Sequence, residues 1–252
     1  MRAYKRGMLL LLVAVVVAAS TVVVTLYGQS PTSDKAKAPD NQRQSSELED
    51  QYPVVDFDSP EPSDPETRER RRKRNARHDK DYLVNKGDSS GNAVETTIFG
   101  EWDLGLPAIP GARSEVILTG EVTDAQAHLS NDKTGIYSEF AVKIGEVLKN
   151  VSSTSLLPGS PVYVERLGGV VRYPNGRKYP YRVAGQGMPR AGAQYLFFLK
   201  AVDGDQAFEI ITAYELREGE VFPLDSVRQF DVYKGRGQAE FFEMVRNAIA
   251  GM

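Results

Sequence analysis

From Met8 to Tyr27 the chain reads MLLLLVAVVVAASTVVVTLY, twenty residues without a charge and broken only by Ser20, Thr21 and Thr25 before the closing tyrosine. As a helix this run is about 30 Å long, the thickness of a hydrocarbon core. Its few hydroxyls can bond back to the preceding turn, so lipid tolerates them. It has no polar face and does not suit the surface of a globular fold. Arg2, Lys5 and Arg6 precede it, whereas the next bases are Lys35 and Lys37. The bias of positive charge toward the cytoplasmic side then leaves residues 1–7 in the cytoplasm and exports the rest. The expectation is a single-pass anchor whose partner is the bilayer. The alternative is a cleaved signal peptide, with Met8–Val17 as the apolar region and Ala18, Ala19 and Ser20 near the cut. Such a peptide has no use for Val22, Val23, Val24 and Leu26, but it too puts the remainder in the periplasm or outside the cell, as a secreted protein.

Residues 28–90 are rich in Ser, Pro, Gln and charge, with no sustained apolar period, and are expected to be a disordered tether. Between Glu47 and Asp64 there are seven acids and no base; from Glu66 to Lys80 there are eight bases and three acids, with Arg70–Arg74 unbroken. Ser63 and Glu66 have capping-box spacing and Pro65 falls in the first turn, which predicts a solvated helix over about 64–84. The run has no apolar stripe. It serves as a spacer, pairs with the acids upstream, or meets a polyanion such as anionic headgroups.

Residues 91–252 switch to short alternating runs divided by Gly, Pro, Asn and Asp, the pattern of antiparallel β structure. Some 160 residues can bury nearly 70% of their unfolded surface, enough to fold alone. Val116, Leu118, Gly120 and Val122 share one face of a first strand, and a parity change after Asp124 predicts a bulge. Ser130–Gly135 predicts a hairpin loop, with Ile136, Phe140, Val142 and Ile144 on the return strand and a second parity break at Gly145. Gly168 and Gly169 end the run Val162–Leu167, as at a change of direction. Pro174, Asn175 and Gly176 form a hairpin turn, with Pro180 assigning its second strand to an edge. Tyr195–Leu199 (YLFFL), apolar on both faces, predicts a covered central strand. Asp203 and Gly204 turn it toward Phe208, Ile210, Thr212 and Tyr214. Phe241, Phe242, Val245, Ala248 and Ile249 make one stripe of a C-terminal helix over Gln238–Ala250.

These features predict a mainly β domain: a small, partly open antiparallel barrel or a two-sheet sandwich, closed by a C-terminal helix. In VILTGEV (Val116–Val122), FAVKIGEVLK (Phe140–Lys149), the Gly168–Gly169 pair and GAQYLFFL (Gly192–Leu199), the region Ser114–Leu199 resembles netrin- and TIMP-type OB-fold modules. The resemblance implies the barrel. The family's disulfides and cysteine-dependent inhibitory edge do not carry over, because the chain has no cysteine.

The same lack excludes a cysteine nucleophile and a thiolate metal site. His78, in the basic run, and His128 are the only histidines, so a triad or a His-based zinc site in the domain would rest on His128 alone, too little for a ligand set, and His128 is expected to be structural or incidental. No nucleotide-binding or hydrolase motif occurs. Ser130 and Lys133 match S-x-x-K in form, but on a hairpin tip instead of a helix. Asn150, Val151 and Ser152 form a glycosylation sequon, and Asp203, Gly204 and Asp205 make only a fragment of a calcium loop. No cofactor, metal or catalytic residue is therefore expected, and a net charge of -3 gives no sign of specific nucleic-acid binding. The most suggestive surface is the hairpin carrying Arg172, Tyr173, Arg177, Lys178, Tyr179, Tyr181 and Arg182, whose cations and rings suit a protein, glycan or polyanion partner. A basic edge that blocks strand-to-strand aggregation is the competing use. The expectation is a membrane-anchored, non-enzymatic binding or assembly domain; the alternative is an envelope-acting hydrolase using carboxylates such as Glu139 and Glu165.

Overall fold

The computed structural model describes residues 52–81, 84, 96–98, 105–202 and 207–251. The expected membrane run at 8–27 and the turn at Asp203 and Gly204 lie outside them. Among the described residues no helix is long and apolar enough to cross a membrane.

The protein is mainly β with a C-terminal helix, as expected. Its strands are β1 (Val54–Asp56), β2 (Thr96–Ile98), β3 (Val116–Leu129), β4 (Ile136–Asn150), β5 (Pro161–Leu167), β6 (Gly169–Arg172), β7 (Lys178–Val183), β8 (Gln194–Ala201), β9 (Ala207–Arg217), β10 (Glu220–Pro223) and β11 (Arg236–Gly237). The larger sheet runs β11-β10-β9-β5-β4-β3-β8, and β8 also pairs with β9. Five strands, β3, β4, β5, β9 and β8, therefore close on themselves. All of their contacts are antiparallel except β5 with β9.

Closure follows from the alternation. Val116, Leu118, Val122, Phe140, Val142, Val164, Phe197 and Leu199 turn inward to one core. Ile117, Leu196 and Phe198 point the other way, where helix α2 (Gln238–Ala250) covers them with Phe241 and Val245. This is why YLFFL is apolar on both faces. The long β3–β4 ribbon bends where its register slips, between Val122 and Asp124 and opposite Gly145. Gly120 permits the tight inner corner, because a Cβ there would lie 2.4 Å from Val142 Cγ1 and 2.8 Å from the Lys143 carbonyl oxygen.

Gly168, at φ 100°, takes the chain from β5 out of the closed sheet into a second sheet. That sheet runs β1-β6-β7-β2, so the β6–β7 hairpin is its centre, not an edge. Pro180 is tolerated because β2 begins pairing only at Tyr181, one residue beyond the missing donor. Val55, Val84, Ala127, Ile136, Val171, Tyr173 and Tyr181 form a second core between this sheet and the tip of the β3–β4 ribbon.

The expectation of disorder throughout 28–90 is corrected for residues 52–81. β1 pairs along β6, and the basic run forms helix α1 (Pro65–Asn75) followed by a tight turn at Ala76–His78. The N-cap is Asp64, whose Oδ2 accepts from the Thr67 amide at 2.7 Å, instead of Ser63. The helix stops at Asn75, well short of 84, and no residue of it is buried.

Candidate functional site

Strand pairing aligns Gln126 of β3, Glu139 of β4, Glu165 of β5 and Glu209 of β9 in one transverse row. Residues directly opposite one another share a face, so the row lies across the outside of the closed sheet. Like charges set opposite each other repel and need a counter-cation. Helix α1 and the turn after it supply it: Arg71, Arg74 and Arg77 recur every three residues and project from one side toward the sheet.

Arg71 Nη2 donates to Glu139 Oε1 at 3.2 Å, Arg74 bonds the other oxygen of Glu139, and Arg77 Nη2 donates to Glu165 Oε2 at 2.6 Å. The two carboxylates are 8% exposed and the three guanidiniums only 16–25%. The outer side of the helix tells a different story, with Arg72 clasped by Glu61 near the surface.

Tyr137 stands next to Glu139 on the same face. Its hydroxyl donates to Asn75 Oδ1 at 2.9 Å and accepts from Arg71 at 3.2 Å. His78 stacks on its ring with centroids 4.4 Å apart, and His128 lies tilted against it at 5.4 Å. Burial pushes the tyrosine hydroxyl up to about 12 and the His128 imidazole down to about 3, the latter aided by Arg71 and Arg74. Burial also lowers His78, against the pull of Asp81. Both Nε2 atoms are buried without a hydrogen-bond partner, 4.0 Å from Glu165 for His78 and 3.9 Å from Glu139 for His128. Beside Glu139, Arg71 and Arg74 lies a cavity of about 290 Å³, lined also by Arg70, Asp124 and Tyr163.

The β3–β4 loop grips the end of the helical segment. Asp132 accepts from the Lys80 amide at 3.0 Å, Asn131 donates to the Arg72 carbonyl at 2.9 Å, and the Asp132 amide donates to Asp79. Desolvation raises the Asp132 carboxyl, but hydrogen bonds from Ser130 and Thr134 outweigh it and hold the group below the ordinary carboxylate range. Gly135 is the contact point: a Cβ there would lie 2.1 Å from the His78 carbonyl oxygen.

The expected hairpin surface is largely spoken for. Tyr173 and Tyr181 are core residues whose hydroxyls meet at 2.8 Å, and Phe57 stacks on Tyr173. Arg172 is paired with Asp56 of β1, Tyr179 packs edge-on against Tyr173, and Arg182 is half-buried. Arg177 and Lys178 stay exposed at the turn.

Ser130 and Lys133 do not form an acyl-transfer pair. Ser130 Oγ donates to Asp132 and accepts from the Thr134 and Gly135 amides, while Lys133 Nζ reaches the Phe57 carbonyl at 2.7 Å. Asn150 caps its own sequon by accepting from the Ser152 amide at 3.0 Å. Among the described residues no group of three or more His, Asp or Glu side chains is placed to hold a metal ion. No protein-family model matches the chain, and no curated protein matches it in sequence.

Proposed function

We propose that the chain is a non-enzymatic binding or assembly module, anchored in a membrane by residues 8–27 and displayed in the periplasm or outside the cell on an OB-type barrel. Strand order supports the OB-type reading: β3, β4, β5, β9 and β8 close in the sequence first, second, third, fifth, fourth, with third and fifth parallel. The resemblance to netrin- and TIMP-type modules implies the same barrel. In OB folds the second and third strands and the first hairpin loop carry the ligand face. Here those elements are β4, β5 and the Ser130–Gly135 loop.

One observation carries the binding reading. Glu139 and Glu165, the carboxylates a hydrolase would need free, are held by guanidiniums, and their face seats a basic helix by charge complementarity. A surface that recognises cations in place is a recognition surface first. Photo-crosslinking from Gln126 or Tyr163 in native membranes should capture a partner protein or glycan. Crosslinks confined to the chain itself would remove the binding role from this face.

The hydrolase reading draws on the register of Glu139 directly opposite Glu165. An activity screen of Glu139→Gln and Glu165→Gln decides it, and undiminished turnover eliminates the pair.

A further inference from the structure

Helix α1 is held on the sheet almost entirely by polar contacts. It buries no residue of its own, and its two inward guanidiniums, with that of Arg77 in the turn after it, serve two carboxylates. Beneath it lie two imidazoles, one from each side of the interface: His78 leaves with the helical segment and His128 stays on β3. Both pack on Tyr137, and both keep a sealed Nε2 without a partner. A buried polar atom in that state opposes docking mildly when neutral and strongly when charged.

From these contacts we infer that helix α1 and the turn after it form an acid-released strap over the Glu139–Glu165 face, with His78 and His128 as the groups whose protonation opens it. This gives the proposed binding face a regulator, and its use rests on that reading, although the opening itself does not.

Every charged neighbour bears on the sign. His128 faces Glu139 from β4 and Arg71 and Arg74 from α1. His78 faces Glu165 from β5 and Glu209 from β9, with Arg77 and Asp81 beside it on its own segment. Asp124 and Arg70 line the adjoining cavity, and Asp132 binds the backbone at Lys80. Around His128 two arginines face one carboxylate, so a new imidazolium there enters a local cation surplus, whereas around His78 Arg77 stands against Glu165, Glu209 and Asp81. Asp81, whose Oδ2 is 3.2 Å from His78 Nδ1, favours the charged form and makes His78 the weaker trigger.

The docked pKa of His128, about 3, lies below its free value of 6.5. The docked state is thus fully favoured above pH 6.5 and loses ground as pH falls toward 3. At pH 5 a histidine titrating at its ordinary value shifts the equilibrium toward release about thirtyfold.

The chain has no cysteine, so a single Glu69→Cys on the exposed side of α1 accepts one fluorophore in the full-length protein in detergent micelles. Its anisotropy should fall between about pH 7.5 and about pH 4.5 while near-ultraviolet circular dichroism reports an intact barrel. His128→Gln should move the midpoint down by about one unit or more, and His78→Asn by less. Gly135→Ala should free the helix at every pH, because its methyl collides with the His78 carbonyl. Flat anisotropy across the range in the parent, or an unmoved midpoint in both histidine variants, overturns the strap. Crosslinking the parent and Gly135→Ala in native membranes separates the two ideas: an absent partner in both sinks the binding role, whereas flat anisotropy sinks only the switch.

Discussion

Arg166 and Asp225 meet in the interior with side chains 3% and 0% exposed, whereas Arg71, Arg74 and Arg77 reach Glu139 and Glu165 from a helix and turn that rest on the outside of the closed sheet. The inner pair is bidentate, at 2.8 and 2.9 Å. Asp225 also accepts from Thr212 Oγ1 and the Gly187 amide, and Arg166 also donates to the Gly187 and Ile211 carbonyls. The outer set has shared acceptors, an adjoining cavity and two unpartnered imidazole nitrogens. The same chemistry thus yields a staple in one place and a removable clasp in the other. What separates them is how many bonds each carboxylate and guanidinium holds once water has left, since in the staple too one atom, Arg166 Nε, is buried without a partner.

The largest effect should follow from cutting the staple. Asp225→Ala leaves a buried guanidinium uncompensated and should cost about 3–5 kcal/mol of global stability. Urea unfolding followed by far-ultraviolet circular dichroism measures it. A loss below about 1 kcal/mol would mean that water reaches Arg166 and that inside and outside differ less than the geometry says.

Cutting the clasp should be smaller and local. Glu139→Gln keeps one acceptor for two guanidiniums and should weaken docking of α1 by about 1–3 kcal/mol, the worth of a charged hydrogen bond. Amide exchange should accelerate at 65–78 and stay slow in β3, β4 and β8. Uniform acceleration would instead make the helix part of the cooperative fold.

This division explains what the sequence disclosed. Strand periodicity revealed the strands, though not whether they close into a barrel or stack as a sandwich, because Val116, Leu118 and Phe197 must alternate with Ile117 and Phe198 to fill two cores, and the apolar stripe of α2 set its span. The basic helix was visible in its cap region, but its docking was not: α1 has no apolar stripe, and hydrophobic patterning says nothing about a contact made of charge. The signal was the three-residue spacing of Arg71, Arg74 and Arg77, and it acquires meaning only once strand register sets Glu139 opposite Glu165. Arg166 and Asp225 are 59 residues apart, with no local pattern to join them. The burial of the hairpin's rings was hidden for a similar reason. Arg172, Tyr173 and Tyr181 are patterned as an exposed binding edge would be, yet Tyr173 and Tyr181 pack with Ala127 and Ile136 from the tip of the β3–β4 ribbon, a contact distant in the chain.

The smallest effect belongs to a third arginine–carboxylate contact, between Arg172 and Asp56 at the surface of the second sheet. Both side chains are about half exposed, so water and salt screen their attraction and holding two mobile side chains offsets most of what remains. The pairing of β1 with β6 does not depend on it, because backbone hydrogen bonds and the burial of Val55 and Val171 hold that edge. Arg172→Ala should therefore leave the urea midpoint where it was, at low and high salt alike. A clear shift at low salt that vanishes in high salt would show that β1 is held electrostatically. In that case the whole segment 52–81, and not just α1, would belong with the removable part of the molecule.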